Sequence, residues 1–546
     1  MPEHFKELLK QDFSDLEAAI KSWQKLARAL EDAQGQHRHK VTGPLHASEW
    51  QGVDSRYAFM KMEASETQLG TAQSDVTSIA TVLDTVHGEM KDAQDFLRQS
   101  VRTAEADGFN VDDRGNVKDG RPAACPTDNA DEEAQEEHAV RVAVMAGYKN
   151  DIQAALDQAS TADWKGMQLL QKIDAFTLDK DYGAQAAKDG ARQVADFAHL
   201  DEDSIPSKKS PKENAKWWSG LSEQERQEYI DAYPDKIGWL DGIPSTDRDE
   251  ANRKAVDLSM ANYDMKKQNG ELGTHDQRQY EGLQKLQTAL DKADGSPDSS
   301  KQLYVLGIDT KGDGRALVSQ GNPDTARNVA VQVPGTDNDL VNLDEQIDRV
   351  GRLQEAAQAK GGANTAVVSW LGYDAPEVDG SMATTGRAEP AGDDLRNFTH
   401  GLRESHQGER THMTVLGHSY GSTVVGVGAS HGGGLDADDV VVVGSPGMAV
   451  DHAKDLNMDP DHVWAGWAPD DIVSTAASDQ TLGENPADKE FGGKVFDVDT
   501  SGHGGYWDNG SDSLRNQGRI IAGRRPSEGD YHMHPAPTPP ETGPKW

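Results

Sequence analysis

One cysteine, Cys125, stands in the whole chain, so no intramolecular disulfide can form and the fold needs no oxidising compartment. Positive charge is scarce as well: 55 basic residues face 93 acidic ones, a net charge of −38. Phosphate recognition needs a concentrated basic face, so this balance argues against a nucleic-acid partner and equally against an anionic membrane surface. No run approaches the ~18 apolar residues of a membrane span. The opening MPEHFKELLKQDF carries charge throughout and lacks the apolar stretch of a conventional secretory signal, which makes a cytoplasmic protein the expectation. No metal-ligand spacing is found. Asp309 and Asp313 in DTKGDGR do not match an EF-hand loop and read as a turn, and His532 and His534 in the Pro-rich tail have no further ligands beside them.

What the chain does have is length, 546 residues, enough for several domains. From Leu16 the apolar positions Leu16, Ile20, Trp23, Leu26 and Leu30 recur every three or four residues, and a longer series runs Val76, Ile79, Leu83, Val86, Met90, Ala93, Leu97. Gly43-Pro44 and Trp50-Gln51-Gly52 lie between them, so residues 1–105 read as a helical hairpin whose apolar stripe needs a helical partner or a second copy. With Trp-x-Gly at its bend, this hairpin resembles the WXG100 proteins of type VII secretion. That resemblance implies export by a type VII-like route as the alternative location, although the Tyr-x-x-x-Asp/Glu tail is absent.

Residues 106–135 are rich in Asp, Gly and Pro and read as an acidic linker with a short hairpin at Arg114-Gly115-Asn116. A helical region follows over 136–299. It is interrupted by a loop at 201–216 and holds an aromatic segment, 217–253, with Trp217, Trp218, Tyr229, Tyr233 and Trp239. Ser222 with Glu225 spells a capping box there, and one further helix is expected over 247–294. The aromatics are expected to dock this segment on the next domain.

Over 300–525 the texture changes. Near-continuous apolar strands (KQLYVLGID, RALVSQG, NVAVQVPGT, NTAVVSWLGYD, HMTVLGHS, DVVVVGSPG, DHVWAGWAPDD and KVFDVDTSGHG) alternate with helical stretches near 340–360, 391–407, 420–431, 448–456 and 509–523. This alternation predicts an α/β domain with a mainly parallel sheet covered on both faces, and the DTKGDGR turn predicts one antiparallel edge. Residues 526–546 form a Pro-rich tail expected to be disordered.

The chemistry centres on Gly417-His418-Ser419-Tyr420-Gly421. Gly-x-Ser-x-Gly alone is weak in a chain with 54 glycines; its place between a strand and a helix is what counts. Such a turn presents a serine hydroxyl at the sheet's carboxyl edge and aims the Tyr420 amide at an oxyanion. A serine needs a base, and on this topology the order is Ser, acid, His. His503 follows the last strand. His431 sits at the far end of the helix after the turn, and His452 and His462 precede the acid. Asp470 and Asp471 both follow the strand HVWAGWA, and only one can face the histidine. Thr336, after NVAVQVPG, is the candidate second oxyanion donor. His418, Tyr506 and Trp507 are candidates to line the substrate pocket; packing under His503 is the alternative for Tyr506 and Trp507, and the favoured one. No cofactor or metal is called for.

Residues 300–525 resemble an α/β-hydrolase. Asp471-Ile472-Val473 with His503-Gly504-Gly505-Tyr506 is similar to the Asp-x-Val and His-x-x-Tyr pattern of cutinase-like serine esterases, which favours Asp471 over Asp470. Together with the aromatic segment, the domain resembles an actinobacterial family of α/β-hydrolases of uncharacterised substrate. The resemblance implies a serine hydrolase acting on a small-molecule or lipid-like acyl ester. Acyl transfer by the same triad, or a secretion-linked scaffold whose hairpin is the working part, are the alternatives.

Overall fold

Near-continuous burial along the strands and one-sided burial along helices such as Leu343–Gln358 mark the architecture of the second half of the chain. The computed structural model describes residues 2–46, 50, 52–121, 132–173, 184–361, 364–377, 380–473 and 481–531. Cys125, Gln51, His532 and His534 lie outside the described residues. In chain order the elements begin with α1 (Pro2–Lys10), α2 (Ser14–His37), α3 (Gly43–His46), α4 (Val53–Ala106), a hairpin of β1 (Phe109–Val111) and β2 (Val117–Asp119), α5 (Glu132–Leu170) and α6 (Ala184–Phe197). Then come α7 (Pro211–Gly220), α8 (Glu223–Ala232), α9 (Pro234–Ile237), α10 (Ser245–Gln268) and α11 (Thr274–Asp294). None of the described helices is long and apolar enough to cross a membrane.

The chain divides into two compact units, neither continuous in sequence: Met1–Gln34, Thr67–Asp201 and Glu223–Ala232 form one, and Gly35–Glu66, Glu202–Ser222 and Tyr233–Trp546 the other. This corrects the expected 1–105 hairpin domain and the 136–299 region. The bend of the hairpin packs with the C-terminal unit: a side chain at Gly43 would stand 2.4 Å from the Gly295 amide nitrogen. Arg38 Nε donates to Glu66 at 2.6 Å, and His39 Nδ1 lies 2.7 Å from the Asp294 carbonyl. Trp50, at the bend, is exposed.

Within the N-terminal unit, Ala93 and Leu97 of α4 meet Phe5, Leu8 and Ile152 in one core. The short hairpin expected at Arg114–Asn116 is present as β1–β2, and its Phe109 and Val117 are buried in that core, so it is docked where a free linker is expected. The other helical differences have local causes. At 201–216 the expected loop contains the start of α7, because Ser210 and Glu213 cap each other's backbone in a capping box with Pro211 at the first helical position. The expected 247–294 helix is two helices, broken at Asn269–Gly273.

The C-terminal unit is built on a sheet of β3 (Leu303–Asp309), β4 (Arg315–Gln320), β5 (Asn328–Val333), β6 (Thr365–Leu371), β7 (His412–His418), β8 (Asp439–Val443), β9 (Val463–Gly466) and β10 (Lys494–Val495), in the spatial order β10-β9-β8-β7-β5-β6-β4-β3. The β3–β4 and β4–β6 pairs are antiparallel and the others parallel. Alternate residues serve opposite faces. Val329, Val331, Val415, Val440 and Val442 share a core with α13 (Ala388–Ser405) and α14 (Tyr420–Ser430). Ala330, Leu416, Val441 and Val443 share the other with α12 (Leu343–Gln358) and α15 (Asp512–Ile521). Both faces are therefore covered, as the unbroken apolar strands require. Where a helix is expected at 448–456 there is only a 3₁₀ turn, Ala453–Asp455, because Val450 bridges to Gly483 and the Ala449 amide bonds the Leu482 carbonyl.

The part of the aromatic segment after Tyr233 docks on β3. Trp239 Nε1 donates to the Ile308 carbonyl at 2.8 Å, and Asn252 Nδ2 to Val305 and Gly238 carbonyls at 2.9 Å each. Buried Arg248 pairs with Asp241 at 3.0 Å and also donates to the Leu306 carbonyl. Trp218 is buried and donates to Asp247 at 2.6 Å.

Candidate active site

Strand β7 ends at His418 and α14 starts at Tyr420, so the single residue Ser419 makes the turn. It does so at φ 53°, ψ −132°, a conformation unfavourable for a residue with a Cβ. Its amide is anchored to the Val443 carbonyl at 3.1 Å. The glycines on either side are steric necessities: a Cβ at Gly417 would lie 2.6 Å from Ser422 Cα, and one at Gly421 2.2 Å from the Val333 carbonyl oxygen.

Asp471 follows β9 and His503 follows β10, so all three side chains emerge at the carboxyl edge of the parallel strands. His503 Nδ1 lies 3.0 Å from both oxygens of Asp471. A carboxylate only accepts, so Nδ1 carries the proton and Nε2 is left as the basic nitrogen. Asp471 is fully buried, which alone would raise its pKa. The hydrogen bonds from His503 and from Tyr506 (Oη to Oδ2, 2.6 Å) outweigh this and hold the carboxyl at about 2. Asp470 does different work: it accepts from the Ser501 hydroxyl and from the Gly502 amide at 2.9 Å, which lowers its pKa and ties down the loop leading to His503. Of the two adjacent aspartates, then, Asp471 faces the histidine. Ser419 Oγ and His503 Nε2 are not hydrogen-bonded to each other here, and neither bonds another described residue.

His418, Tyr506 and Trp507 pack against one another beside His503, the arrangement favoured for Tyr506 and Trp507. Tyr506 and Trp507 are 0 % and 3 % exposed, which leaves no face for a substrate. Trp507 meets the His418 ring edge-on at 4.9 Å, and Arg349 lies 4.7 Å above Trp507. His418 Nε2 donates to the His503 carbonyl at 2.9 Å, leaving its buried Nδ1 without a partner among the described residues. Burial, reinforced by the neighbouring His503, drives the His418 pKa down to about 3, so the ring stays neutral. Between pH 6.5 and 3 the unfolded chain binds a proton here that the folded chain does not, so this group costs stability as pH falls, by up to about 1.4 kcal/mol per pH unit. His418→Gln, which keeps a donor for the His503 carbonyl, should flatten the loss of urea-unfolding free energy between pH 6.5 and 4; slopes equal to those of the unmodified chain would refute the assignment.

Tyr420 contributes on two fronts. Its amide opens α14 with no acceptor among the described residues, and its hydroxyl donates to the Thr384 carbonyl at 2.6 Å. Thr336 sits on the loop after β5 beside Ser419: a Cβ at the preceding Gly335 would be 2.6 Å from Ser419 Cβ. The competing histidines are elsewhere. His462, at the start of β9, bonds Asp439 at 2.9 Å, and His452 lies 3.2 Å from the Glu490 carbonyl. Tyr506 as a second support for Asp471 was not legible in the sequence; the signal, a tyrosine three residues after the histidine, was there, but its hydroxyl reaches Asp471 only through the turn at Gly505–Trp507.

A family model described as alpha/beta hydrolase matches residues 309–480. An uncharacterized protein of Mycobacterium tuberculosis is 31% identical over 364 residues, covering 56% of this chain and 55% of the relative. An uncharacterized protein of Mycobacterium bovis is 30% identical over 193 residues, covering 33% of this chain and 72% of that protein. The chain thus spans only 55% of the length of the first relative. No solved structure matches. With the parallel sheet, the strand–serine–helix turn and these relatives together, the chain belongs to the α/β-hydrolase family.

Proposed function

We propose that the protein is a serine hydrolase that cleaves carboxylic esters through Ser419, His503 and Asp471. The observation that carries this is the 3.0 Å bidentate contact of His503 Nδ1 with buried Asp471, on the same sheet edge as the strained Ser419. Substrate entry brings Ser419 Oγ within reach of His503 Nε2, a contact that commonly tightens only in the complex. His503 takes the hydroxyl proton as Oγ attacks the carbonyl carbon, and Asp471 stabilises the imidazolium. The amides of Tyr420 and Thr336 receive the oxyanion. His503 returns the proton to the departing alcohol, leaving an acyl-Ser419. Water, deprotonated by His503, then releases the acid. The Asp-Ile-Val and His-Gly-Gly-Tyr likeness to cutinase-like esterases supports an ester as the substrate, small or lipid-like.

A fluorophosphonate probe tests the reading. The unmodified chain is expected to label on Ser419, mapped by peptide mass spectrometry, and Ser419→Ala is expected not to label. A folded unmodified chain that stays unlabelled rules the proposal out.

A further inference from the structure

The oxyanion loop after β5 is held by a side chain that the mechanism above does not use. Asn338 Nδ2 donates to two successive carbonyls, Gly335 at 2.9 Å and Thr336 at 3.0 Å. Its own Oδ1 accepts from Gln346 Nε2, and Gln346 is buried. The buried amide of Gln346 therefore fixes which way the Asn338 amide faces.

Peptide geometry turns these contacts into a statement about Thr336. In a trans peptide the C=O and the following N–H point in opposite directions. Holding the Gly335 carbonyl on the Asn338 side thus turns the Thr336 N–H to the other side. Holding the Thr336 carbonyl fixes the next plane, whose N–H, that of Asp337, is already bound to the Pro376 carbonyl at 3.0 Å. Asp337 adopts φ 59°, a left-handed conformation between the second held plane and Asn338. Tyr373 Oη secures the preceding Pro334 carbonyl at 2.7 Å. The result leaves the Thr336 N–H, in the first of the two held planes, turned away from Asn338 and without an acceptor among the described residues. It stands next to Gly335, whose close approach to Ser419 leaves no room for a side chain.

We infer that Asn338, oriented by Gln346, is a positioning residue that presets the Thr336 amide for the oxyanion. The inference rests on the serine-hydrolase reading and adds a residue to it. An oxyanion donor acts only where charge develops, so displacing it lowers kcat and leaves KM largely alone.

The test measures hydrolysis of a p-nitrophenyl acyl ester by the full chain, as kcat and KM across pH 5–8, with thermal unfolding as a fold check. Asn338→Ala is expected to lower kcat about 10- to 100-fold at an unchanged KM, short of the loss expected for removing a donor outright. Asn338→Asp, nearly the same shape, is the second variant. Its carboxylate faces two carbonyl oxygens and repels them, so its kcat relative to the unmodified chain is lowest at neutral pH. That ratio should recover as pH falls and the carboxyl, protonated, can donate again. A merely structural asparagine would give parallel pH profiles. A folded Asn338→Ala with unchanged kcat, or parallel profiles for Asn338→Asp, overturns the inference. Failure of the unmodified chain both to turn over the ester and to take the fluorophosphonate would instead overturn the serine-hydrolase reading, and this inference with it.

Discussion

Asp471→Asn is expected to lower kcat for ester hydrolysis by about four orders of magnitude, whereas Asp470→Asn stays within about threefold. The asymmetry comes from what each neighbour touches. At position 471 an amide keeps the volume but loses the charge, and it puts an N–H₂ where a carboxylate now accepts from two donors. His503 Nδ1 would turn acceptor toward that amide, and its proton would move to Nε2, the nitrogen that has to be basic. Tyr506 loses an ionised partner in the same change. At position 470 the carboxylate only holds the Ser501 hydroxyl and the Gly502 amide, on the solvent side of the loop. An amide oxygen can keep one of those bonds. Saturating-substrate kinetics on both variants decides the matter: comparable losses, or the larger loss at Asp470, would show that the histidine takes its partner from the other carboxylate.

Two substitutions at Ser419 should match in rate and differ in stability. Ser419→Ala and Ser419→Gly both remove the nucleophile, and turnover is expected to fall by about four to six orders of magnitude in each. Their stabilities should separate. Alanine keeps the Cβ that makes φ 53° unfavourable, and glycine does not. Relief of that strain, on the order of 1–3 kcal/mol, is partly offset by the larger chain entropy glycine brings to the unfolded state, about 0.5–1 kcal/mol. Ser419→Gly is therefore expected to unfold at higher urea than Ser419→Ala, by about 1 kcal/mol. The reverse order would mean that the turn is not strained by its serine.

Much of the fold was legible because burial leaves a periodic trace. The apolar runs around Val329–Val333, Met413–Leu416 and Val440–Val443 have to lie between two helical layers, and they do. The order of Ser419, the aspartates and His503 along the chain could be read because each follows a strand. The choice between Asp470 and Asp471 was not readable from spacing alone: adjacent residues at a turn point in different directions, and only the register of the loop sets which one meets Nδ1. Phe109 and Val117 were hidden for another reason. Two apolar residues among aspartates and glycines look like a linker until the core they enter is known. Ser210-Pro211-Lys212-Glu213, by contrast, spelled its helix start in full, and the Pro and Lys around it masked the signal. Asn338 leaves no pattern in sequence, because its role lies in which carbonyls its amide reaches.

The interleaving of the two compact units bears on how the chain is made. A chain emerging from the ribosome exposes Gly35–Glu66 long before Glu202–Ser222 and Tyr233–Trp546, the rest of the unit to which that stretch belongs. The first unit waits in turn for Glu223–Ala232. Neither can close while only its own beginning is out, so vectorial synthesis cannot finish one domain before starting the next. Such long-range closure slows folding and leaves apolar surface open meanwhile. It also means that a cut after residue 105, which looks like a clean domain boundary on paper, would take Arg38, Gly43 and Glu66 away from the unit that holds the α/β sheet.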